Sequence, residues 1–261
     1  TYILQDEIKK GGEGHILKVK GRDDLLAKVY YKNLDKTKEN KIRKLAEIQK
    51  SNFKATPDFD IAFPTELLFY NKEFIGFIMK KVDGEPIDSI LSYKKMKSAN
   101  PKITRMELVQ ISLTFLKSMR ALHALGILLV DMNPKNILLD IHTKKVSIVD
   151  VDSAQVEKYG CEVGIDDYFS PVVIKHRQNK VPYLSTLQDE YFSVAILIFQ
   201  ILMGFVHPYD FRGRSHKIHK NIEGYFAYVE DEAKIPGKSF KPLWSKFSSQ
   251  MKTMFQLFLE F

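Results

Sequence analysis

The hydrophobic pattern of the first 80 residues is that of short strands with one helix. Apolar runs at residues 16–19, 25–30 and 74–79 are separated by turn residues, as is typical of β-strands. Residues 36–50 instead place their apolar side chains at helical spacing. This part of the chain therefore predicts a small sheet that carries one helix.

The pattern becomes helical after residues 82–86, a stretch of turn residues that predicts a hinge. Residues 106–125 carry apolar side chains at spacings of three and four and stop before Gly126, as helices often do. Two strand-like pieces follow at residues 137–139 and 146–149. The most apolar run, at residues 192–206, is too short to span a membrane. We therefore predict that it forms a helix buried on every side.

These patterns predict an α+β fold of two lobes. We expect an N-lobe at residues 1–82, built on an antiparallel sheet, and a larger helical C-lobe at residues 83–261. A cleft between two such lobes is a common place for a ligand.

The composition indicates a basic protein, and its single cysteine fits a reducing compartment. The net charge is +8, with lysines scattered from Lys9 to Lys252. This charge leaves open a nucleic acid partner, bound through the basic surface or a missing C-terminal tail, although we prefer a solvated basic exterior because the lysines are not gathered into one tract. The single cysteine, Cys161, forms no internal disulfide, so we expect a cytoplasmic protein without a membrane partner. The first residue is Thr1 and the last residues continue an apolar pattern, so we expect a fragment of a longer protein.

The first candidate site residues lie in the strand region. Gly11, Gly12 and Gly14 interrupt two predicted strands, where glycines let backbone N–H groups approach phosphate oxygens, although an ordinary turn would look the same. Lys28 lies within an apolar strand, so its ammonium must either meet an anion or extend to solvent.

The second group lies around the strands that follow the long helix. Asp131 and Asn136 are five positions apart in a predicted loop, so one can orient an attacking hydroxyl while the other binds a divalent cation. A simple turn is the alternative. Asp150 ends a buried strand and is suited to bind a cation. Asp152 would point to the opposite side if the strand continued, so we expect one carboxylate to dominate.

The order and spacing of these residues carry a resemblance to a known family. Further matching segments are residues 11–16, 61–64, 76–79, 130–138, 149–153, 160–164 and 197–208. The chain resembles the protein kinase superfamily over almost its whole length. More narrowly, it resembles bacterial kinase-like domains of the YegI type, which are often encoded with tellurium-resistance or stress genes and fused to helix-hairpin-helix tails.

The resemblance implies a site for ATP. Gly11 and Gly14 match glycines of the loop that covers the phosphates, and Lys28 matches the lysine that holds the α- and β-phosphates. Met79 matches the gatekeeper. The hinge that would bind adenine through its backbone comprises Lys80, Lys81 and Val82.

The resemblance also implies a catalytic and metal centre. Asp131 matches the catalytic aspartate, while Asn136 and Asp150 match the ligands of Mg²⁺ or Mn²⁺. Asp189 matches the aspartate that supports the catalytic loop from below.

The helix partner of Lys28 is open between two glutamates. Counting along typical kinases favours Glu47, whereas the rotation of the helix favours Glu39, which we prefer.

Several positions depart from the family pattern. Lys9 replaces the first loop glycine, and Leu129 and Val130 replace the histidine and arginine before the catalytic aspartate. Val151 and Asp152 replace the phenylalanine and glycine after the metal-binding aspartate. Residues 170–172 also differ from the usual Ala-Pro-Glu. These departures alter the platform for a peptide more than the groups that contact ATP.

The resemblance implies an ATP- and magnesium-dependent serine/threonine protein kinase domain acting on a protein substrate. A pseudokinase that binds nucleotide and acts as a regulatory or scaffold module is the alternative, and a small-molecule kinase also remains open.

Overall fold

The N-terminal part is a five-stranded antiparallel sheet. The computed structural model describes residues 1–32, 34–98, 103–161, 163–213 and 225–259, so Glu162 of the matching segment 160–164 lies outside the described residues. The sheet has the strand order β1-β2-β3-β6-β5. Its strands are β1 (Leu4–Lys10), β2 (Gly14–Val19), β3 (Arg22–Tyr30), β5 (Pro64–Tyr70) and β6 (Glu73–Lys80). The strand-like runs at 16–19, 25–30 and 74–79 all fall within this sheet, as predicted.

One helix, α1 (Lys36–Asn52), packs against strand β5 of this sheet. The Asp35 side chain caps its first turn by accepting a hydrogen bond from the Lys38 N–H. Its own side chains Ile42 and Leu45 are fully buried. The predicted helix is confirmed, and its apolar stripe fixes which side chains face the sheet.

A second sheet connects the two parts of the molecule. Its order is β4-β10-β9-β7, with strands β4 (Phe59–Ile61), β7 (Glu85–Pro86), β9 (Ile137–Leu139) and β10 (Val146–Ile148). β4 comes early in the chain but pairs in parallel with β10, so it is joined to the region that follows the loop of Asp131 and Asn136. β8 (Ile127–Leu128) and β11 (Gln155–Val156) form a small third sheet.

The C-terminal part is helical. Its helices are α2 (Ile87–Leu91), α3 (Tyr93–Ser98), α4 (Arg105–Ala124), α5 (Pro171–Gln178), α6 (Leu187–Met203), α7 (Ala227–Glu230), α8 (Phe240–Ser245) and α9 (Ser249–Leu259). α6 begins at a Thr186 capping box and ends at Gly204, whose φ of 71° suits glycine. Nearly all of its side chains are buried, as the uniformly apolar run predicted. Within the described ranges, no helix combines the length and apolarity that crossing a membrane requires.

The architecture confirms the predicted α+β fold, with an antiparallel sheet region followed by a larger helical region. Strand β3 and the segment after β10 come together at the junction of the two, and this junction holds the candidate site.

Candidate active site

Lys28 is the central cation of the site. It lies on β3 with only 4% of its surface exposed. Its Nζ is 2.5 Å from Asp150 Oδ1 and 2.8 Å from each carboxylate oxygen of Asp152. Glu13 Oε2, from the turn after β1, lies 3.8 Å away. Burial disfavours the charged ammonium, but Asp152 and Asp150 outweigh it and hold the pKa of Lys28 above its usual value. The lysine therefore meets anions rather than extending to solvent.

Both carboxylates reach Lys28 because the chain turns sharply after β10. The strand stops at Ile148, and Asp150 adopts a left-handed conformation with φ of 62°. Residues Val151–Ser153 then form one turn of 3₁₀-helix. Our expectation that Asp150 and Asp152 would point to opposite sides was wrong, because it assumed a continuing strand.

Asp152 is the more deeply held of the two acids. Its side chain is inaccessible to solvent, whereas that of Asp150 is 40% exposed. The Tyr30 hydroxyl donates to Asp152 Oδ2 at 2.7 Å, and the ammonium of Lys38 lies 3.6 Å from the same oxygen. Burial opposes ionisation, but Lys28 and Lys38 prevail and hold the pKa of Asp152 below its usual range.

Asp131 has a buried oxygen, Oδ1, that accepts no hydrogen bond from the described residues. Burial, and then the charge of Asp150, raise the pKa of this carboxyl, while the backbone of Ile165 and the charge of Arg177 oppose the rise. The preceding Val130 has φ of 60°, which is rare for a β-branched residue and indicates local strain. An unsatisfied carboxylate on a strained loop is typical of a functional group.

Asn136 joins the loop of Asp131 to the segment of Asp150. It ends the 3₁₀ turn Pro134–Asn136, in which the Asn133 side chain accepts from the Lys135 N–H at 3.0 Å. The Asn136 carbonyl accepts from the Val149 N–H at 2.9 Å. The turn interpretation is therefore correct for the backbone, and the same turn places Asn136 beside the segment that carries Asp150.

The glycine segment has one tightly packed position and one open position. Gly11 N–H donates to the Gly14 carbonyl at 2.9 Å, which closes the turn. A Cβ on Gly14 would lie 2.4 Å from the Val29 carbonyl oxygen, so strand β3 requires glycine there. Around Gly12 no atom lies within 4 Å of a Cβ position. Gly12 is thus the position that leaves most room for a ligand.

The predicted hinge continues from the end of β6. Met79 is buried, and Lys81 donates its N–H to the Asp24 carbonyl at 2.8 Å. The Lys80 ammonium lies 2.5 Å from Asp60 Oδ2, so its side chain joins the first sheet to β4. Binding of adenine by Lys80, Lys81 and Val82 stays a prediction.

The predicted pair between Lys28 and Glu39 is not formed. Glu39 instead accepts from Lys36 and Arg43, each at 2.8 Å on the same helix, and Glu47 is exposed. The face of α1 toward the site carries lysines. Lys41 donates to the carbonyls of Ser153 and Gly160 at 2.8 and 2.9 Å. Helical rotation placed Glu39 near the apolar stripe but could not show that its nearest cations are on its own helix.

The loop that carries Asp131 is supported by Glu190, one residue after the one expected. Glu190 is buried and accepts from the Leu129 N–H at 3.0 Å. Asp189 instead accepts from the Ser170 and Tyr183 hydroxyls at 2.5 and 2.9 Å. It also caps α6, which occupies its remaining acceptor capacity.

A cavity of about 940 Å³ opens next to the loop of Asp131, on the side of α5. Val130 and Cys161 line it on the side of that loop. Its lining also includes Lys158, Arg177 and Lys180, together with one acid, Asp166, whose Oδ1 lies 3.7 Å from Arg177 Nε. Val130 directly precedes Asp131, so the cavity adjoins the loop of the candidate catalytic aspartate.

Sequence reasoning missed four contributors to the site: Tyr30, Lys38, Lys41 and Glu190. A tyrosine two residues after Lys28 was a usable signal, since alternate strand residues share one face. Lysines 38 and 41, three apart on one helix face, were also visible. Nothing in the sequence distinguishes Asp189 from Glu190, since both are acids in the first turn of a buried helix.

Comparison with known proteins agrees with this geometry. The family described as "Protein kinase domain" matches residues 2–261. The chain is 28% identical to "Protein kinase YegI" of Escherichia coli strain K12, over 97% of this chain and 40% of that protein. With "Protein kinase YegI" of Escherichia coli O157:H7 it shares 29% identity, over 78% of this chain and 32% of that protein. The chain thus spans less than half the length of these relatives.

A solved structure shows the same fold. The kinase PK-1 of Cydia pomonella granulovirus aligns with a TM-score of 0.61 and 18% identity, covering 99% of this chain and 87% of that one. The family match over nearly every residue and the similarity to the YegI proteins confirm the resemblance seen in the sequence. The chain belongs to the protein kinase family.

Proposed function

We propose that this chain is the catalytic domain of an ATP- and magnesium-dependent protein kinase that phosphorylates serine or threonine hydroxyls. The observation that carries the proposal is the buried, unpartnered Oδ1 of Asp131 on the loop that Asn136 ties to the segment of Asp150. A carboxylate kept free at such a junction is available to a substrate hydroxyl.

The donor atoms fit Mg²⁺ or Mn²⁺. Asp150 and Asn136 offer a carboxylate and an amide oxygen, the hard ligands that Mg²⁺ prefers. No group of three acidic, histidine or cysteine side chains suited to a metal exists in the described part of the chain. This agrees with an ion held by few protein ligands and by the phosphates themselves. When bound, the ion would neutralise negative charge on the phosphates.

The protein residues would divide the remaining work. Lys28 would bind the α- and β-phosphates, and Gly12 leaves room for a ligand beside its turn. Asp131 would orient the acceptor hydroxyl and take its proton at Oδ1. Its raised pKa makes it a better proton acceptor than an exposed aspartate. Catalysis of this kind rests on positioning and charge neutralisation.

A protein acceptor suits the surroundings of the loop. The cavity beside Val130 is large enough for several side chains, and its basic groups favour an acceptor segment that carries acidic residues. Several surface lysines of the described residues pair with carboxylates instead, for example Lys44 with Glu157 and Lys241 with Glu232, each within 2.8 Å. We therefore propose a protein substrate rather than nucleic acid.

The pseudokinase alternative rests on one contact. Lys28 holds Asp150 Oδ1 at 2.5 Å, so this oxygen must leave the contact before it can bind a metal. A protein in which that exchange fails would still bind nucleotide without transferring phosphate.

Incubation with γ-labelled ATP and Mg²⁺ or Mn²⁺, beside Lys28→Ala, separates these functions. We expect label on the protein itself or on an acceptor protein with acidic residues near its serine or threonine, and the loss of this label in the variant. ATP-dependent thermal stabilisation without label would favour the pseudokinase, whereas equal labelling by Lys28→Ala would contradict the assignment of Lys28.

A further inference from the structure

We propose that Asp152, and not a carboxylate of helix α1, is the residue that positions Lys28 for phosphate binding. This inference rests on the proposed function and concerns how the site is held rather than which reaction it performs. It assigns to the segment after β10 a task for which the sequence pattern suggested Glu39 or Glu47.

The contacts of Asp152 are those of a permanent partner. Both of its oxygens lie 2.8 Å from Lys28 Nζ, and its side chain is fully shielded from solvent. Burying a carboxylate costs folding free energy unless the carboxylate is paired and hydrogen-bonded. Besides Lys28, the Tyr30 hydroxyl donates a hydrogen bond to Asp152, and the Lys38 ammonium lies near the same oxygen. Asp152 is therefore held on three sides and cannot turn away from the lysine without leaving charges unpaired.

Asp150 is the partner that can leave. Its side chain is 40% exposed, and only Oδ1 contacts Lys28. When Asp150 turns to a cation, Lys28 keeps Asp152 and stays in place. Two acids on one short segment thus serve different tasks, the outer one for metal and the buried one for the lysine.

Helix α1 contributes positive charge to the same cluster. Lys38 Nζ lies 3.5 Å from Glu13 and 3.4 Å from the Asp152 carbonyl, and Lys41 binds the carbonyls of Ser153 and Gly160. The helix therefore fixes the segment that carries Asp152, and through Asp152 it fixes the lysine. The sequence led us to expect an acidic side chain of α1 that binds Lys28 directly. The structure has basic side chains of α1 instead, and they connect the helix to Lys28 through the segment of Asp152.

The test compares Asp152→Asn with Glu39→Gln, which removes the same charge from the helix. For Asp152→Asn we expect kcat to fall roughly a hundredfold, as misplacement by about an ångström does. The Mg²⁺ concentration at half-maximal rate and the Kd for ATP should each rise about tenfold, roughly the weight of one charged contact. Lys28 would then keep Asp150 as its remaining carboxylate partner and withhold it from the metal. Glu39→Gln should change each quantity less than about twofold.

Tyr30→Phe is the second variant, because it removes one hydrogen bond to Asp152 and preserves the packing of the ring. It should raise the Mg²⁺ requirement, as Asp152→Asn does, by a smaller factor, and it decides the question if Asp152→Asn does not fold.

A lower rate with unchanged Mg²⁺ requirement and ATP affinity in both variants would mean a structural role and overturn the inference. Loss of ATP affinity in Glu39→Gln alone would also overturn it. If the wild type transfers no phosphate, the proposed function fails, and the pattern of ATP affinities still tests Asp152.

Discussion

At the scale of residues, the site contains two carboxylates with opposite electrostatic surroundings. Asp152 is buried among cations, so its pKa is lowered and it stays ionised as a partner of Lys28. Asp131 is raised in pKa by burial and then by the charge of Asp150, which together outweigh the opposing charge of Arg177. Environments that separate two acids in this way are a usual mark of divided tasks in active sites.

Asp131→Asn should make the protein more stable while abolishing transfer. The folded pKa of Asp131 lies above its ordinary value of 3.8, so the folded chain holds that proton more tightly than the unfolded chain. This contribution to stability is present at low pH, is lost as the pH rises through the window above 3.8, and leaves a cost at pH 7. We expect the variant to gain about 1 kcal/mol in the free energy of unfolding at pH 7.

Urea denaturation of both proteins at pH 7 and pH 4 measures this difference. The gain should be smaller at pH 4 than at pH 7, because protonation of the wild-type carboxyl at lower pH removes the cost of its buried charge. A less stable variant at pH 7 would show that Asp131 is a structural residue.

At the scale of elements, the site depends on the close approach of the glycine turn to strand β3. Gly14 packs against the Val29 backbone one residue after Lys28, whereas Gly12 is open. Of the three glycines predicted for phosphate binding, Gly14 thus has a packing reason for its identity and Gly12 does not. The sequence could not separate them, because the distinction depends on which backbone lies opposite.

Gly14→Ala and Gly12→Ala form a matched pair. The Cβ in Gly14→Ala would collide with the Val29 carbonyl oxygen at 2.4 Å, so strands β2 and β3 must separate. We expect a loss of about 2 kcal/mol or more in the free energy of unfolding, in the range for overpacking. Gly12→Ala should stay within about 0.5 kcal/mol of the wild type and raise the KM for ATP. Thermal unfolding with ATP kinetics checks both, and equal stability of the two variants would contradict this account of the turn.

The elements also show what the sequence could predict. Apolar periodicity located β2, β3, β6, α1, α4 and α6, because each buries one face or all faces. The left-handed turn at Asp150 was not predictable, since a non-glycine residue with positive φ leaves no pattern in the sequence. That turn alone decides that Asp152 reaches Lys28.

At the scale of the whole molecule, the site is assembled at the junction of the two sheets. Lys28 comes from the first sheet, while Asp131, Asn136 and Asp150 come from loops around β9 and β10. Asp60 on β4 binds Lys80 of β6 at 2.5 Å and lies 3.7 Å from Lys145, so one buried acid links the two parts close to the hinge. The lobe boundary at residue 82 stays a prediction, because β4 precedes it and pairs beyond it.

The most direct test of the central claim is the initial rate of γ-phosphate transfer by the wild type and by Asp131→Asn, at ATP concentrations that saturate each protein equally. Equal occupancy is set beforehand from the Kd for ATP of each protein, so that only the transfer step is compared. The account predicts measurable transfer by the wild type, unchanged ATP affinity in the variant, and a rate reduced at least about a hundredfold, the usual weight of a positioned proton acceptor. Equal rates at equal occupancy would contradict it, because the free carboxylate of Asp131 would then take no part in phosphate transfer.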